Sequence, residues 1–166
     1  MPLIIVESPT KARTFNRILK IAKKDDHFVF ATMGHIRDLP SNTIAIDYKN
    51  QFKPSYQIIE KKRRIVSELR KLGKENKEII LATDPDREGE SIAYHAAYLL
   101  GLIKEIWPKA EIVANGGGHS LRRIVFHEIT PRALAEALEK PEQLRLHLVA
   151  AQQSRRILDR VVGYEL

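Results

Sequence analysis

The stretch Ile79-Ile80-Leu81-Ala82-Thr83-Asp84-Pro85-Asp86-Arg87-Glu88-Gly89-Glu90 places four carboxylates in seven positions, directly after a short apolar run. Such a run is typical of a buried parallel strand, and open α/β sheets bind ligands where their strands end. Like charges this close repel one another, and burying them is costly unless a cation compensates. Because Mg²⁺ takes oxygen ligands, commonly one or two carboxylates with several waters, the stretch predicts a strand followed by a Mg²⁺ site. The alternative is a solvated loop that caps the next helix, which accounts for one acidic residue but not for four.

The composition describes a basic globular chain of ordinary domain size. Its 166 residues are 43% hydrophobic and 30% charged, the formal net charge is +7 and the sequence pI is about 9.7. The positive balance favours a polyanionic partner, nucleic acid before a membrane. The chain has no cysteine, which excludes disulfides and cysteine-ligated metal within these residues. No signal peptide and no stretch of roughly 20 apolar residues is present, so a cytoplasmic protein without membrane contact is expected.

The order of apolar runs and helical patterns predicts the fold class. Strands are predicted at 3–6, 28–32, 79–82 and 124–126, with a short one at 112–113. Helices are predicted to begin at Ser8-Pro9, to run over 60–72 with Gly73 ending that helix, and to run over 88–100, 130–138 and 144–162. Strands alternating with helices indicate an α/β protein, a mainly parallel sheet with helices on both faces. The polar segment near 37–58 is predicted to be an irregular insertion.

Two charged residues follow the first predicted strand. Glu7 comes directly after it, as Asp84 comes after another strand, and parallel strands end at the same edge of a sheet. Glu7 and the acidic turn are therefore expected to meet, although an isolated charge at a strand end is also common. Lys11 opens a helix, where a cation opposes the helix dipole but would help to hold a phosphate. A solvent-facing lysine is the alternative.

The last predicted helix is rich in polar side chains. Arg156 and Arg160 are four residues apart and share one face, where like charges are mildly destabilising unless an anion lies between them. A nucleic-acid phosphate is such an anion. The alternative is a solvated face on which Asp159 is the local partner.

Five blocks of the sequence, in order, resemble the type IA DNA topoisomerases, the lineage of bacterial topoisomerase I and reverse gyrase. The blocks are Ile4 to Ala12, Gly34 to Pro40, Leu81 to Glu90, Phe126 to Thr130, and Gln152 to Tyr164. The acidic turn alone would indicate only a Toprim domain, a Rossmann-like fold shared with DnaG-type primases, type II topoisomerases, OLD-family nucleases and recombination mediators. Glycines at 116–118 depart from the family pattern.

The resemblance implies roles for the residues in these blocks. Glu7 is similar to the glutamate that serves as general acid and base toward the deoxyribose 3′-oxygen, and it joins the metal site. Lys11 is similar to the lysine that stabilises the phosphate in the transition state. The implied Mg²⁺-binding triad is Asp84, Asp86 and Glu88. The implied DNA contacts are His35, Arg155, Arg156, Arg160 and Tyr164.

The resemblance also implies an ATP-independent isomerase that relaxes supercoils by cleaving and rejoining single-stranded DNA through a 5′-phosphotyrosine. The expected division is a Toprim domain over 1–140 and the beginning of a helical single-strand-binding domain over 141–166. None of the five tyrosines has the family's nucleophile context, so the chain is expected to be an inactive, monomeric N-terminal fragment whose partners are DNA and the remaining domains. A Toprim nuclease or primase module is the alternative. A non-enzymatic Toprim module is disfavoured by the Glu-Ser-Pro-x-Lys block and the absence of cysteine.

Overall fold

The computed structural model describes residues 1–24, 26–113, 118–125 and 127–165. The strands in chain order are β1 (Leu3–Val6), β2 (Phe28–Ala31), β3 (Arg37–Asp38), β4 (Ile46–Asp47), β5 (Lys53–Pro54), β6 (Gln57–Ile58), β7 (Glu78–Leu81), β8 (Ile103–Ile106), β9 (Lys109–Ile112) and β10 (Ser120–Arg123). The helices are α1 (Pro9–Ile21), α2 (Arg63–Glu75), α3 (Arg87–Leu99), α4 (Pro131–Glu139) and α5 (Leu146–Glu165), and a 3-10 turn, Glu60–Lys62, precedes α2.

The central sheet is parallel, with the strand order β10-β7-β1-β2. Residues of β1 alternate between the two faces: Leu3 and Ile5 pack in one apolar cluster, and Ile4 and Val6 in another. The first cluster includes side chains of α2 and α3, and the second includes side chains of α1 and α4. The predicted α/β class, with helices on both faces of a parallel sheet, is confirmed.

The fourth strand of the sheet was predicted in the wrong place. It is Ser120–Arg123, not 124–126, although the Ile124 amide still donates to the Leu81 carbonyl at 3.0 Å. The prediction was wrong because the apolar residues follow the strand instead of forming it. The strand itself carries arginines, and Arg122 pairs with Glu78 of the neighbouring strand at 2.8 Å. Phe126 and the glycine turn at 115–117 lie outside the described residues.

Outside the central sheet, the described strands form short antiparallel pairs. The predicted strand at 112–113 is the end of β9, which forms a hairpin with β8. In the segment predicted to be irregular, β3 pairs with β6 and β4 with β5, each over two residues. These pairs are too short to show an alternating pattern in the sequence.

Gly73 was predicted to end a helix, and it does not. Helix α2 continues to Glu75, and Gly73 is buried within it against Leu100, where a Cβ would lie 2.4 Å from Leu100 Cδ2. The glycine therefore permits close packing of α2 on the end of α3.

Helix α5 packs against α3 and buries polar as well as apolar side chains. Val149, Gln153 and Arg160 are buried, whereas Leu158 is 61% exposed. None of the helices in the described part of the chain is long and apolar enough to span a membrane.

Candidate active site

Glu7, Lys11 and Asp84 meet at the carboxyl edge of the sheet, where the neighbouring strands β1 and β7 end. The Lys11 ammonium lies 2.9 Å from Glu7 Oε1 and 2.9 Å from Asp84 Oδ1. The Asp84 backbone amide donates to Glu7 Oε2 at 3.0 Å. The expected meeting of Glu7 with the acidic turn is thus observed, through both a salt bridge and a backbone hydrogen bond.

Lys11 is held by the start of α1. Ser8 caps this helix by accepting a hydrogen bond from the Lys11 amide at 3.2 Å, and Pro9 follows at the first helical position. The lysine side chain is only 10% exposed, so the alternative of a solvent-facing lysine is wrong. Its charge is directed at the two carboxylates.

The acidic turn is tight because Gly89 packs on its backbone. Asp86 caps α3 by accepting from the Gly89 amide at 2.7 Å, and the Thr83 hydroxyl donates to the Gly89 carbonyl at 2.6 Å. A Cβ at Gly89 would lie 1.9 Å from the Asp84 carbonyl oxygen, a distance that no side chain could occupy. The turn therefore requires glycine at this position.

Glu88 faces the loop that follows β2. One oxygen makes a short hydrogen bond with His35 Nε2, and the other accepts from Gln152 Nε2 of the side-chain amide at 3.2 Å. The loop itself is anchored beside the site by the Gly34 amide, which donates to the Glu7 carbonyl at 2.8 Å. The predicted DNA contact His35 is thus placed against the predicted metal ligand Glu88.

The predicted triad offers oxygen ligands that remain open to solvent. The side chains of Asp84 and Glu88 are 59% and 58% exposed, and Asp86 is exposed as well. Within the described ranges, no three His, Asp or Glu side chains are gathered closely enough to hold a metal ion by themselves. This donor set fits Mg²⁺, which keeps several waters and commonly shares its shell with substrate phosphates, better than it fits a metal that needs an all-protein cage.

Glu90, the fourth carboxylate of the stretch, is separate from the other three. Its side chain is fully buried and lies 2.6 Å from the guanidinium of Arg123, which is fully buried too. Sequence reasoning missed Arg123, because the neighbouring Arg122 has the same chemistry and ends on the surface. Only the three-dimensional pairing distinguishes the two arginines.

The predicted DNA-binding residues of α5 differ in their exposure to solvent and in their hydrogen bonds to the rest of the chain. Arg156 forms two hydrogen bonds of 3.1 Å with the Asp38 carboxylate, which raises the Arg156 pKa, and its side chain is 36% exposed. Arg160 is buried and donates to the carbonyls of Pro40 and Thr43, each at 2.6 Å. Arg155 is exposed, and Tyr164 is 51% exposed.

An open cleft of about 370 Å³ separates the acidic turn from α5. It is lined by Asp86, Arg87, Glu88, Gln152, Arg155, Arg156 and Asp159. The turn contributes mainly carboxylates, with Arg87 among them, and α5 contributes mainly arginines, with Asp159 among them.

A buried cluster of polar side chains around Arg37, which was not predicted from the sequence, lies beneath the acidic turn and α5. The Arg37 guanidinium lies 3.7 Å from the Tyr98 ring centroid, 2.7 Å from Glu105 and 3.3 Å from His95 Nδ1. Burial, together with the Arg37 charge, holds the pKa of His95 well below its ordinary value. Burial and the Glu105 carboxylate raise the pKa of Tyr94.

Comparisons with known proteins point to one family. The Toprim domain family model matches residues 2–115. The DNA topoisomerase 1 of Campylobacter jejuni subsp. jejuni is 47% identical over 165 residues, which are 99% of this chain and 21% of that protein. The full-length topoisomerase I structure from Thermotoga maritima matches with a TM-score of 0.80 and 40% identity, over 98% of this chain and 24% of that one. The chain thus spans about a fifth to a quarter of the length of these relatives.

Proposed function

Because this chain belongs to the Toprim domain family, we propose that it supplies the acidic half of a type IA DNA topoisomerase active site. The observation that supports this best is the placement of Lys11 between Glu7 and Asp84, 2.9 Å from each, at the carboxyl edge of a parallel sheet. The proposed reaction breaks and rejoins single-stranded DNA through a 5′-phosphotyrosine and relaxes supercoils. It needs no ATP, because the phosphotyrosine bond conserves the energy of the broken phosphodiester.

Glu7 is the proton carrier in this proposal. When a tyrosine attacks phosphorus, its hydroxyl proton passes to solvent, the P–O3′ bond breaks, and Glu7 in its protonated form gives a proton to the leaving 3′-oxygen; in rejoining, Glu7 takes that proton back and the released tyrosine regains one from solvent. The Asp84 amide and the Lys11 ammonium each hold one Glu7 oxygen, so the carboxyl group is oriented before DNA arrives. Orientation of this kind lowers the cost of reaching the transition state.

Lys11 stabilises the phosphate on which the attack takes place. Lys11 belongs to the first turn of α1, where the helix dipole also favours an anion. In the unliganded arrangement the lysine is paired with two carboxylates. An approaching phosphate would compete for the same charge, and the pairing keeps the lysine in position until then.

Mg²⁺ is the proposed metal, held by Asp84, Asp86 and Glu88 with Glu7 beside them. When bound, the ion supplies electrostatic support to the phosphates. The exposed carboxylates suit it, and since the described residues form no complete cage, we propose that DNA phosphate contributes to the site.

The DNA strand is proposed to run along the cleft between the acidic turn and α5. Arg155 and Tyr164 are exposed for direct contact, His35 and Arg156 are partly exposed, and Arg160 acts by holding the loop at 40–44. A monomeric, cytoplasmic protein remains part of the proposal.

The attacking tyrosine is proposed to come from sequence outside these 166 residues. Tyr94 is buried with a raised pKa, and burial raises the pKa of Tyr56 as well, so neither is a ready nucleophile. Because none of the five tyrosines has the family's nucleophile context, the chain alone should leave supercoiled plasmid DNA unchanged in Mg²⁺. Relaxation by the purified chain would contradict the proposal, nicking would favour a Toprim nuclease, and primer synthesis would favour a primase module.

Calorimetric titration with Mg²⁺ tests the metal site directly. We expect saturable binding in the presence of a short single-stranded oligonucleotide, and its loss in the double variant Asp84→Asn/Asp86→Asn. Glu68→Gln, an exposed change on α2, is the control and should bind as the parent does. Absence of Mg²⁺ binding even with the oligonucleotide present would overturn the metal assignment.

A further inference from the structure

Arg123 and Glu90 form a fully buried ion pair directly beneath the acidic turn. Arg123 is the last residue of β10, and Glu90 lies in the first turn of α3. Arg123 Nε donates to Glu90 Oε1 at 2.7 Å, and the other Glu90 oxygen accepts from the Arg145 backbone amide at 3.1 Å. The pair therefore joins the sheet, α3 and the segment that leads into α5.

The remaining donors of Arg123 are directed at backbone carbonyls of the turn. Its Nη1 donates to Thr83 O at 2.7 Å, to Ile124 O at 3.0 Å and to Leu81 O at 3.2 Å. Its Nη2 donates to Asp84 O at 2.8 Å. One guanidinium thus holds the backbone on both sides of the point where β7 becomes the acidic turn.

These contacts connect three neighbouring strands at their carboxyl ends. Arg123 on β10 holds the Asp84 carbonyl, and the Asp84 amide holds Glu7 at the end of β1. Hydrogen bonds therefore fix the peptide groups on both sides of Asp84, although its own side chain is 59% exposed. Without them, an exposed turn would leave the carboxylate free to change its distance from Glu7 and Lys11.

We propose that Arg123 and Glu90 are positioning residues, which hold the Asp84 backbone so that its carboxylate and its amide stay aligned with Glu7 and Lys11. The inference rests on the proposed function for its purpose, because Asp84 and Glu7 are the residues assigned to metal binding and proton transfer. A buried ion pair is by itself weak evidence for a role in stability, since apolar pairs of similar volume often replace one without loss. An apolar pair, however, cannot donate hydrogen bonds to the carbonyls of Thr83 and Asp84.

This difference allows positioning to be separated from stability. The double variant Arg123→Met/Glu90→Leu keeps the buried volume and removes the hydrogen-bond donors. Arg123→Lys keeps the positive charge but lacks the planar guanidinium that donates to several carbonyls at once. Arg122→Lys is the matched control, a neighbouring arginine of the same strand whose side chain is 41% exposed. Hydrogen exchange by NMR then compares the Asp84 amide with the Ala82 amide, which donates to Ile5 O at 2.8 Å inside the sheet.

We expect the Asp84 amide to exchange about tenfold faster in the double variant while Ala82 exchange is unchanged, because the turn that presents this amide to Glu7 loses the donors that hold its Thr83 and Asp84 carbonyls. Arg122→Lys should change neither amide. Two results would overturn the proposal. In one, the Asp84 and Ala82 amides both exchange as slowly in the double variant as in the parent; in the other, both amides exchange faster by the same factor. Should the double variant not fold, Arg123→Lys is judged by the same comparison.

Mg²⁺ titration of the same proteins separates this inference from the proposed function. We expect the variant that loosens Asp84 to bind Mg²⁺ about tenfold more weakly, since the metal must then order the turn. Unchanged affinity in that variant would overturn the positioning role. If the parent chain binds no Mg²⁺ at all, the metal assignment fails, and the exchange comparison alone decides whether Arg123 positions Asp84.

Discussion

The acidic turn and the basic face of α5 use their charges in different ways. In the turn, Glu88 remains open to solvent, whereas Glu90, two residues later, is buried on Arg123. In α5, Arg155 is exposed, whereas Arg160 is buried and bound to loop carbonyls. Each region thus combines charges available to a ligand with charges that hold the site in shape. Side-chain type alone does not separate the two groups.

The largest effect is expected where the acidic turn folds back on itself. Gly89→Ala should lower the free energy of unfolding by roughly 3 kcal/mol or more, because the new Cβ would lie 1.9 Å from the Asp84 carbonyl and the backbone must move. Equilibrium denaturation in urea measures the change. Mg²⁺ binding should weaken in parallel, because the displaced carbonyl is the one that Arg123 holds.

Gly163→Ala on α5 is the matched control for that substitution. A Cβ at Gly163 meets nothing within 4 Å, and alanine favours a helix over glycine by about 1 kcal/mol at most. We expect equal or slightly higher stability. If Gly89→Ala were tolerated as well as Gly163→Ala, the backbone of the acidic turn could not pack as tightly on Gly89 as the structure places it.

The next effect concerns the supporting arginine of α5. Arg160→Ala should reduce the free energy of unfolding by about 2–3 kcal/mol, because the carbonyls of Pro40 and Thr43 lose their donor. Arg155→Ala, five residues away and exposed, should change it by no more than about 0.5 kcal/mol. Thermal and urea denaturation of both variants make the comparison. Equal losses would contradict the division of α5 into a supporting and an exposed arginine.

The residues at the open edge of the acidic turn could be predicted from the sequence, whereas the buried residues that support the turn could not. Apolar runs that end in charged residues indicate parallel strands and the edge at which Glu7 and Asp84 meet, because strand ends in such sheets face one way. Arg123 gave no such signal. Arg122 and Arg123 are adjacent and chemically identical, and their different partners, Glu78 on β7 and Glu90 on α3, follow only from the tertiary packing around β10.

The two helical glycines also show that local sequence does not reveal contacts between distant parts of the chain. Gly73 and Gly89 both lie inside helices, and each packs closely on a neighbour: a Cβ at Gly73 would meet the movable end of the Leu100 side chain, and a Cβ at Gly89 would meet the fixed Asp84 carbonyl. A glycine near the end of an apolar helical pattern favours a helix stop, which is why Gly73 was predicted wrongly. Close packing between elements is a tertiary property that local patterns do not contain.

A smaller effect is expected from His95, a residue of α3 that is buried against Arg37. Burial and the charges of Arg37 and His35 depress its pKa in the folded chain, while the unfolded chain binds the proton near pH 6.5. The stability that depends on neutral His95 is therefore complete above about pH 6.5 and is lost as the pH falls toward the folded pKa, at up to about 1.4 kcal/mol per pH unit. Urea denaturation at a series of pH values between neutrality and mild acid measures this slope.

Removing His95 should flatten the slope. His95→Gln should make the free energy of unfolding less dependent on pH below neutrality, even if the substitution lowers its absolute value. His147→Gln, at an exposed position of α5, is the control and should keep the parent slope. An unaltered slope in His95→Gln would show that His95 can take up a proton in the folded chain, contrary to its burial beside Arg37.

The smallest effect, and the one that sharpens the comparison most, is on DNA affinity. Arg155→Ala should weaken binding of a single-stranded oligonucleotide severalfold and reduce the slope of log K against log salt by about 0.7, the value for one lost phosphate contact on a single strand. Fluorescence anisotropy at several salt concentrations measures both quantities. Lys140→Ala, an exposed change at the end of α4, should leave the slope unaltered. If Arg155→Ala binds with the parent salt slope, its charge does not contact phosphate, and DNA binding cannot be assigned to the exposed arginine of α5.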